Sequence, residues 1–237
     1  MSTPDWSPLA ETDHELLFDI ILFDGVDELD VIGPLEVFRR AAALGAELTS
    51  RLATLAPLST ARGAFGLSFR GDALFVPGQA SVVVVPGGGW VARSPAGAWV
   101  EANRGEWPRV LAEAWKEGSV LAGVCTGALL LAHAGIIGSR RATTHHDALA
   151  DLVALGATTV HERVVDEGQL LTCGGVTSGI DLALWLVQRY FGEDLGTLVG
   201  EGLEYKWSRP EEPAVAPLST RAALVSATVP LSAMSPG

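Results

Sequence analysis

The sequence of 237 residues has two cysteines, Cys125 and Cys173, too few for a disulfide framework or a four-cysteine zinc site. That scarcity fits a reducing cytoplasm. No run of lysine and arginine occurs and the formal net charge is -12, which argues against a surface that tracks a phosphate backbone. Nucleic acid is not an expected partner. Apolar runs such as Ser81 to Val85 and Ala128 to Ala132 fall far short of the roughly 20 residues that cross a bilayer. The opening Met1 to Glu15 is polar and acid-rich, unlike the basic and apolar regions of a secretory signal. Neither a membrane partner nor export is expected. No repeat with a period of about 20 to 50 residues is visible, so solenoid architectures are set aside.

What is present is a chain 48% hydrophobic and 19% charged, a composition that can bury a sizeable core. One α/β domain over residues 16–206 is the expectation, with an N-terminal extension at 1–15. Residues 207–237 are rich in Pro, Ala and Ser and read as a tail. Leu16 to Phe23 is a short apolar run that predicts a buried strand, feeding a loop from Asp24 to Asp30. Gly33-Pro34 then looks like the entry to a helix that closes at Gly45, with a second strand over Leu48 to Leu55. Residues 58 to 77 suggest a hairpin excursion before the strand Ser81 to Val85, which ends at Pro86-Gly-Gly-Gly89. A helical stretch from Ala96 to Glu117, broken at Pro108, precedes a strand from Ser119 to Val124. Further signals follow: a helix to Gly135, a hairpin over Glu162 to Thr172 and a helix over Gly179 to Phe191.

The segment Val120-Leu-Ala-Gly-Val-Cys-Thr-Gly-Ala128 runs from strand through a small-residue turn into helix, the layout of a nucleophile elbow. Such a turn projects Cys125 at the carboxyl edge of the sheet, where small ligands bind. A helix starting beside the sulfur would favour its thiolate and allow reaction near neutral pH. The competing reading of an isolated intracellular cysteine is a small buried hydrophobe, which would gain nothing from a tight elbow. Asp30 reads either as a cap or solvated loop residue, or as a carboxyl free for another partner upstream of the helix entry. Thr126 reads either as a helix-start hydroxyl or as a functional one. Trp90 and Val176 follow the two glycine turns and either wall a pocket or belong to the core. His145, His146, Asp147 and Asp151 lack metal-ligand spacing, so no metal is expected; Thr144 is the better N-cap of the next helix.

Gly123-Val-Cys-Thr-Gly-Ala-Leu-Leu-Leu-Ala-His-Ala-Gly135, followed by Arg140-Arg-Ala-Thr-Thr-His145, resembles the ThiJ/PfpI superfamily and, within it, the isocyanide hydratases. Glu28-Leu-Asp-Val-Ile-Gly-Pro34, Val85-Pro-Gly-Gly88 and Val164 to Asp181 agree with it. The resemblance implies a flavodoxin-like α/β/α sandwich with a mostly parallel sheet, a homodimer, and Cys125 as nucleophile. It also implies Asp30 and Thr126 as its catalytic companions, and the reaction of a carbon–nitrogen-acting hydro-lyase that converts an isocyanide and water to a formamide without a cofactor. The backbone amides of Thr126, Gly87 and Gly88 would stabilise developing charge. Two departures stand out. Proteases of the superfamily place a histidine after the nucleophile, where this chain has Thr126, and the hydratases more often carry a hydroxyl residue at Ile32. AraC-type regulators share a similar Cys-Thr-Gly stretch in a sensing domain, so a ligand- or redox-sensing module is the alternative; the segment after Glu201 is too short and Pro-rich for a helix-turn-helix portion.

Overall fold

The computed structural model describes residues 15–57 and 59–210. Residues 1–14, Leu58 and 211–237, which hold most of the expected extension and tail, lie outside the described residues.

The chain opens with β1 (Leu16–Ile21), α1 (Glu28–Ala43) and β2 (Leu48–Thr54), then a small antiparallel hairpin of β3 (Thr60–Arg62) and β4 (Ser68–Arg70). The short β5 (Ala73–Leu74) leads to β6 (Val82–Val85), whose four valines are all buried. Residues this uniformly apolar and β-branched suit a central parallel strand covered on both faces. Next come α2 (Ala98–Arg104), α3 (Glu106–Lys116), β7 (Val120–Gly123) and α4 (Gly127–His133). After β8 (Arg141–Ala142), α5 (Leu149–Ala154) and β9 (Thr158–Thr159), the chain makes the antiparallel pair β10 (Val164–Asp166) and β11 (Leu170–Cys173). It finishes with α6 (Ser178–Phe191) and α7 (Glu193–Gly202).

One seven-stranded sheet runs in the order β10-β11-β7-β6-β1-β2-β5, and every neighbouring pair except β10–β11 is parallel. Helices α1, α6 and α7 pack together as one layer and α2 to α5 as another, giving the flavodoxin-like α/β/α sandwich that the sequence implied. Helix α4 carries fully buried Leu129, Leu130 and Leu131 side by side, so it is covered all round rather than on one stripe.

Two boundaries differ from the sequence reading. Helix α1 begins at Glu28, not at Gly33-Pro34: the Asp27 side chain accepts the Leu29 N–H at 3.2 Å, and Glu28 and Asp30 put acids in the first turn, where free amides favour them. Pro34 therefore sits inside the helix, and Asp30 belongs to its first turn rather than to a loop upstream. The helix over residues 96–117 breaks at Gly105, which adopts φ +80°, while Pro108 fits the first turn of α3, where its missing N–H costs nothing. Trp207, Ser208 and Arg209, assigned to the tail by composition, are docked. Trp207 lies against Gly200, the Ser208 amide donates to Asp181 at 2.6 Å, and Arg209 pairs with Glu193.

Candidate active site

Four adjacent parallel strands, β11, β7, β6 and β1, deliver their carboxyl ends to one place. The turn after β7 holds Cys125, the loop after β6 holds Gly87 and Gly88, the turn after β1 leads to Asp27 and Asp30, and β11 runs into Gly174 to Val176. Cys125 adopts φ +53°, a conformation that costs a non-glycine residue about 1–2 kcal/mol. Surrounding bonds hold it there. Its N–H donates to the Gly174 carbonyl at 3.1 Å, and its own carbonyl accepts the Thr144 hydroxyl at 2.7 Å. Strain that is over-determined by its neighbours is the signature of a functional position. The glycines serve close approach: a Cβ on Gly127 would stand 1.9 Å from the Val85 carbonyl oxygen, and one on Gly87 2.4 Å from Thr126 Oγ1.

Asp30 is fully buried. Its Oδ2 accepts the Gly87 N–H at 2.8 Å, while Oδ1 is buried with no hydrogen-bond partner. Burial pushes the Asp30 carboxyl well above the usual carboxylate range; the Gly87 amide and the Cys125 thiol act in the opposite direction without offsetting it. The Cys125 thiol is pushed up to about 12, first by burial and then by the charge of Asp30, against the pull of the Val176 and Thr126 amides. This overturns the expectation of a helix-stabilised thiolate: α4 is only seven residues long, and desolvation in the elbow outweighs its free amides. Burial thus raises both members of the pair, the Cys125 thiol and the Asp30 carboxyl.

Thr126 is buried and sits at the N-cap position of α4, yet its hydroxyl caps nothing there; its Oγ1 accepts the Gly88 N–H at 2.9 Å. Gly87 and Gly88 thus spend their amides on Asp30 and Thr126, whereas the sequence reading offered them to the developing charge. The amides at the sulfur are those of Thr126 and Val176, so Val176 meets the site through its backbone. Trp90 is buried edge-on to Trp99 and His133, with its indole N–H donating to Asp151 at 2.6 Å.

We expect Thr126→Val to cost more than the lost hydroxyl, since the half-buried Gly88 amide would be left unpaired, at about 1–2 kcal/mol. At roughly 2–4 °C per kcal/mol, a melting curve should fall by several degrees, and Thr126→Ser should restore it.

Two further residues border the site, of which sequence reasoning missed Asp27 and gave His145 only a capping role. Asp27, half-buried and with its carboxyl raised by burial, acts electrostatically on Cys125. His145 lies against the loop after β11, where a Cβ on Gly175 would stand 3.0 Å from its ring. Its Nδ1 accepts the Asp147 N–H at 3.2 Å, so His145 is the cap expected of Thr144, whose hydroxyl is committed to Cys125. His145, His146 and Asp147 place ligand-type atoms within 4.8 Å of one another, although His146 and Asp147 are exposed. A short chain segment supplies all three, which is why metal-ligand spacing gave no signal.

An α/β sandwich with a strained cysteine at the elbow after a central strand and a buried carboxyl beside it defines a cysteine-elbow protein of the α/β type. The DJ-1/PfpI family model matches residues 19–189, and the chain belongs to that family. The isonitrile hydratase of Pseudomonas putida is 49% identical over 90 residues, covering 37% of this chain and 38% of that protein. The HTH-type transcriptional regulator CdhR of Pseudomonas aeruginosa is 32% identical over 109 residues, covering 45% of this chain and 32% of the regulator. The matched stretches therefore span well under half of either curated relative. A ThiJ/PfpI family protein from Pseudomonas syringae superposes with a TM-score of 0.71 at 22% identity, covering 90% of this chain and 84% of the other. No helix among the described residues is long and apolar enough to cross a membrane.

Proposed function

We propose that this protein is an isocyanide hydratase, a cytoplasmic hydro-lyase that converts R–N≡C and water to the formamide R–NH–CHO. The observation that carries the reading is the fully buried Asp30 carboxyl, raised by that burial and with an unpartnered oxygen, beside the Cys125 thiol. An isocyanide carbon is both electrophilic and, once attacked, in need of a proton, and this pair supplies sulfur and acid together.

Forming a free thiolate at pH 7 from a thiol pushed up to about 12 would cost about 7 kcal/mol, at roughly 1.4 kcal/mol per pH unit. Proton transfer during attack avoids that cost. As sulfur bonds to the isocyanide carbon, the S–H proton passes to the Asp30 carboxyl and Asp30 delivers a proton to that carbon, leaving the thioimidate R–N=CH–S–Cys125. Water then adds to the same carbon, Asp30 taking one of its protons and relaying a proton to the nitrogen, which gives R–NH–CH(OH)–S–Cys125. The C–S bond breaks, the sulfur recovers its proton through Asp30, and the formamide leaves. Thr126 keeps its hydroxyl hydrogen available while its oxygen accepts from Gly88, so it can donate to the thioimidate nitrogen as that forms or orient the water. None of these steps calls on a cofactor or a metal.

The direct test follows loss of para-nitrophenyl isocyanide and appearance of the formamide. Turnover supports the hydratase reading. Likeness to the regulator CdhR favours a second one, a sensing module with Cys125 as an oxidisable thiol. Stoichiometric oxidation of Cys125 without turnover would establish it and sink the first.

The homodimer implied by the family resemblance also has a candidate face. Leu29 and Ile32 on α1 and Phe65 and Leu67 in the turn of the β3–β4 hairpin are all exposed, Phe65 by 85%. Glu28 joins the two elements by accepting the Phe65 and Leu67 amides at 2.8 and 3.2 Å. Such clustered apolar exposure is uncommon on a monomer. Phe65→Asp with Leu67→Asp should shift the protein from dimer to monomer in sedimentation; an unchanged dimer would place the interface elsewhere.

A further inference from the structure

The loop Gly174 to Thr177 holds Cys125 directly: the Gly174 carbonyl accepts the Cys125 N–H at 3.1 Å, and the Val176 amide acts on the sulfur. That loop is held by a network whose far end lies in the segment after α7. Asp181, fully buried in the first turn of α6, is its hub. Its Oδ2 accepts Arg163 Nη2 at 2.6 Å, Arg163 Nε at 3.1 Å and the Tyr205 hydroxyl at 2.9 Å. Its Oδ1 accepts the Ser208 N–H at 2.6 Å. Arg163 then reaches the loop twice: its Nη2 donates to Thr177 Oγ1 at 3.2 Å, and its carbonyl accepts the Gly174 N–H at 3.0 Å. The Tyr205 hydroxyl also lies 3.4 Å from the Thr177 carbonyl. Both ends of the four-residue loop are therefore pinned by groups that touch neither the sulfur nor Asp30.

We propose that Asp181 and Tyr205 are positioning residues for the Cys125 sulfur, acting through the Gly174–Thr177 loop to hold the Val176 amide on it, and that the segment Leu203–Ser208 straps this part of the active site. An amide aimed at sulfur lowers the cost of negative charge there as the C–S bond forms and breaks. Loosening the strap removes that donor without removing any reacting group. Burial and the Asp181 carboxylate keep the Tyr205 phenol protonated, so it donates across the working pH range.

The test reads the sulfur directly and needs no isocyanide, so its outcome is separate from that of the hydratase assay. Iodoacetamide labelling of Cys125, followed by peptide mass mapping against pH, is run on the full chain with Tyr205→Phe, Asp181→Asn and Arg209→Ala. Tyr205→Phe keeps the ring and loses only the hydroxyl; its labelling midpoint should rise by about half a pH unit, a threefold slower labelling at fixed pH. Asp181→Asn, which loses the charge that organises Arg163, should move it further. Arg209 anchors the same segment to Glu193 but makes no contact with the loop, so its variant should keep the wild-type midpoint. A merely structural role would lower the melting temperature of the Tyr205 and Asp181 variants with no change in midpoint, and that result overturns the proposal. Should Asp181→Asn fail to fold, Tyr205→Phe alone decides.

Discussion

Cys125→Ala is expected to bring conversion of para-nitrophenyl isocyanide down to the uncatalysed background, a loss of at least about a thousandfold, because no other group at the site can form the covalent intermediate. Cys173 cannot substitute for it: that thiol is fully buried and its ionisation is pushed well up by burial. The fold should survive. Alanine at φ +53° bears much the same backbone cost as cysteine, and the thiol being replaced is neutral, so no buried charge loses its partner. The Val176 and Thr126 amides lose only a weak sulfur acceptor, and melting should move by no more than a few degrees. Iodoacetamide supplies the second readout, since wild type should gain one adduct and the variant none. A variant that still turned over would remove Cys125 from the chemistry and with it the hydratase reading.

The frame of this site was legible because its signals are local. Four consecutive valines predict a doubly covered strand whatever surrounds them, and strand, Cys-Thr-Gly and helix in immediate succession leave the chain little choice but an elbow. The ordering of the site residues was not local. From sequence, the Gly87 and Gly88 amides read as donors to developing charge; their actual partners, Asp30 and Thr126, arrive from 57 and 38 residues away. Pro34 reads as a helix start, since proline suits a first turn, whereas the Asp27 cap sets the start upstream and draws Asp30 into the helix. The thiolate expectation failed for a related reason. A helix terminus can be read from sequence, but the desolvation that opposes it depends on how tightly β11, β6 and α1 close over the elbow. Asp181 carried no sequence signal beyond the family resemblance, because its partners Arg163, Tyr205 and Ser208 meet only in the folded chain.

Asp30→Asn should separate catalysis from stability, with opposite signs. Carboxamide and carboxyl have the same shape, so the Asn oxygen can keep the Gly87 N–H while its NH2 turns toward the sulfur, but no proton can be delivered to the isocyanide carbon. Turnover should fall by about 10²–10⁴, the span over which general acid–base catalysis contributes. Stability should rise. An unfolded Asp30 ionises in the ordinary carboxylate range, near about 3.9. In the native state its ionisation is raised, so between those two values the folded chain holds a proton that the unfolded chain has released. Raising the pH through that window favours the unfolded state, and above the native value the full penalty persists. The Asn variant carries no such penalty, so its melting temperature should exceed that of wild type at pH 7 by a few degrees and converge on it in acid, below the carboxylate range. The sulfur supplies an independent check: with the Asp30 charge gone and an N–H donor in its place, Cys125 should be alkylated at lower pH than in wild type. A variant that loses turnover while its thiol becomes more reactive and its fold more stable has lost an acid and base, not a structural support. Lost turnover together with a lower melting temperature would instead make Asp30 a cap whose removal disturbs the elbow.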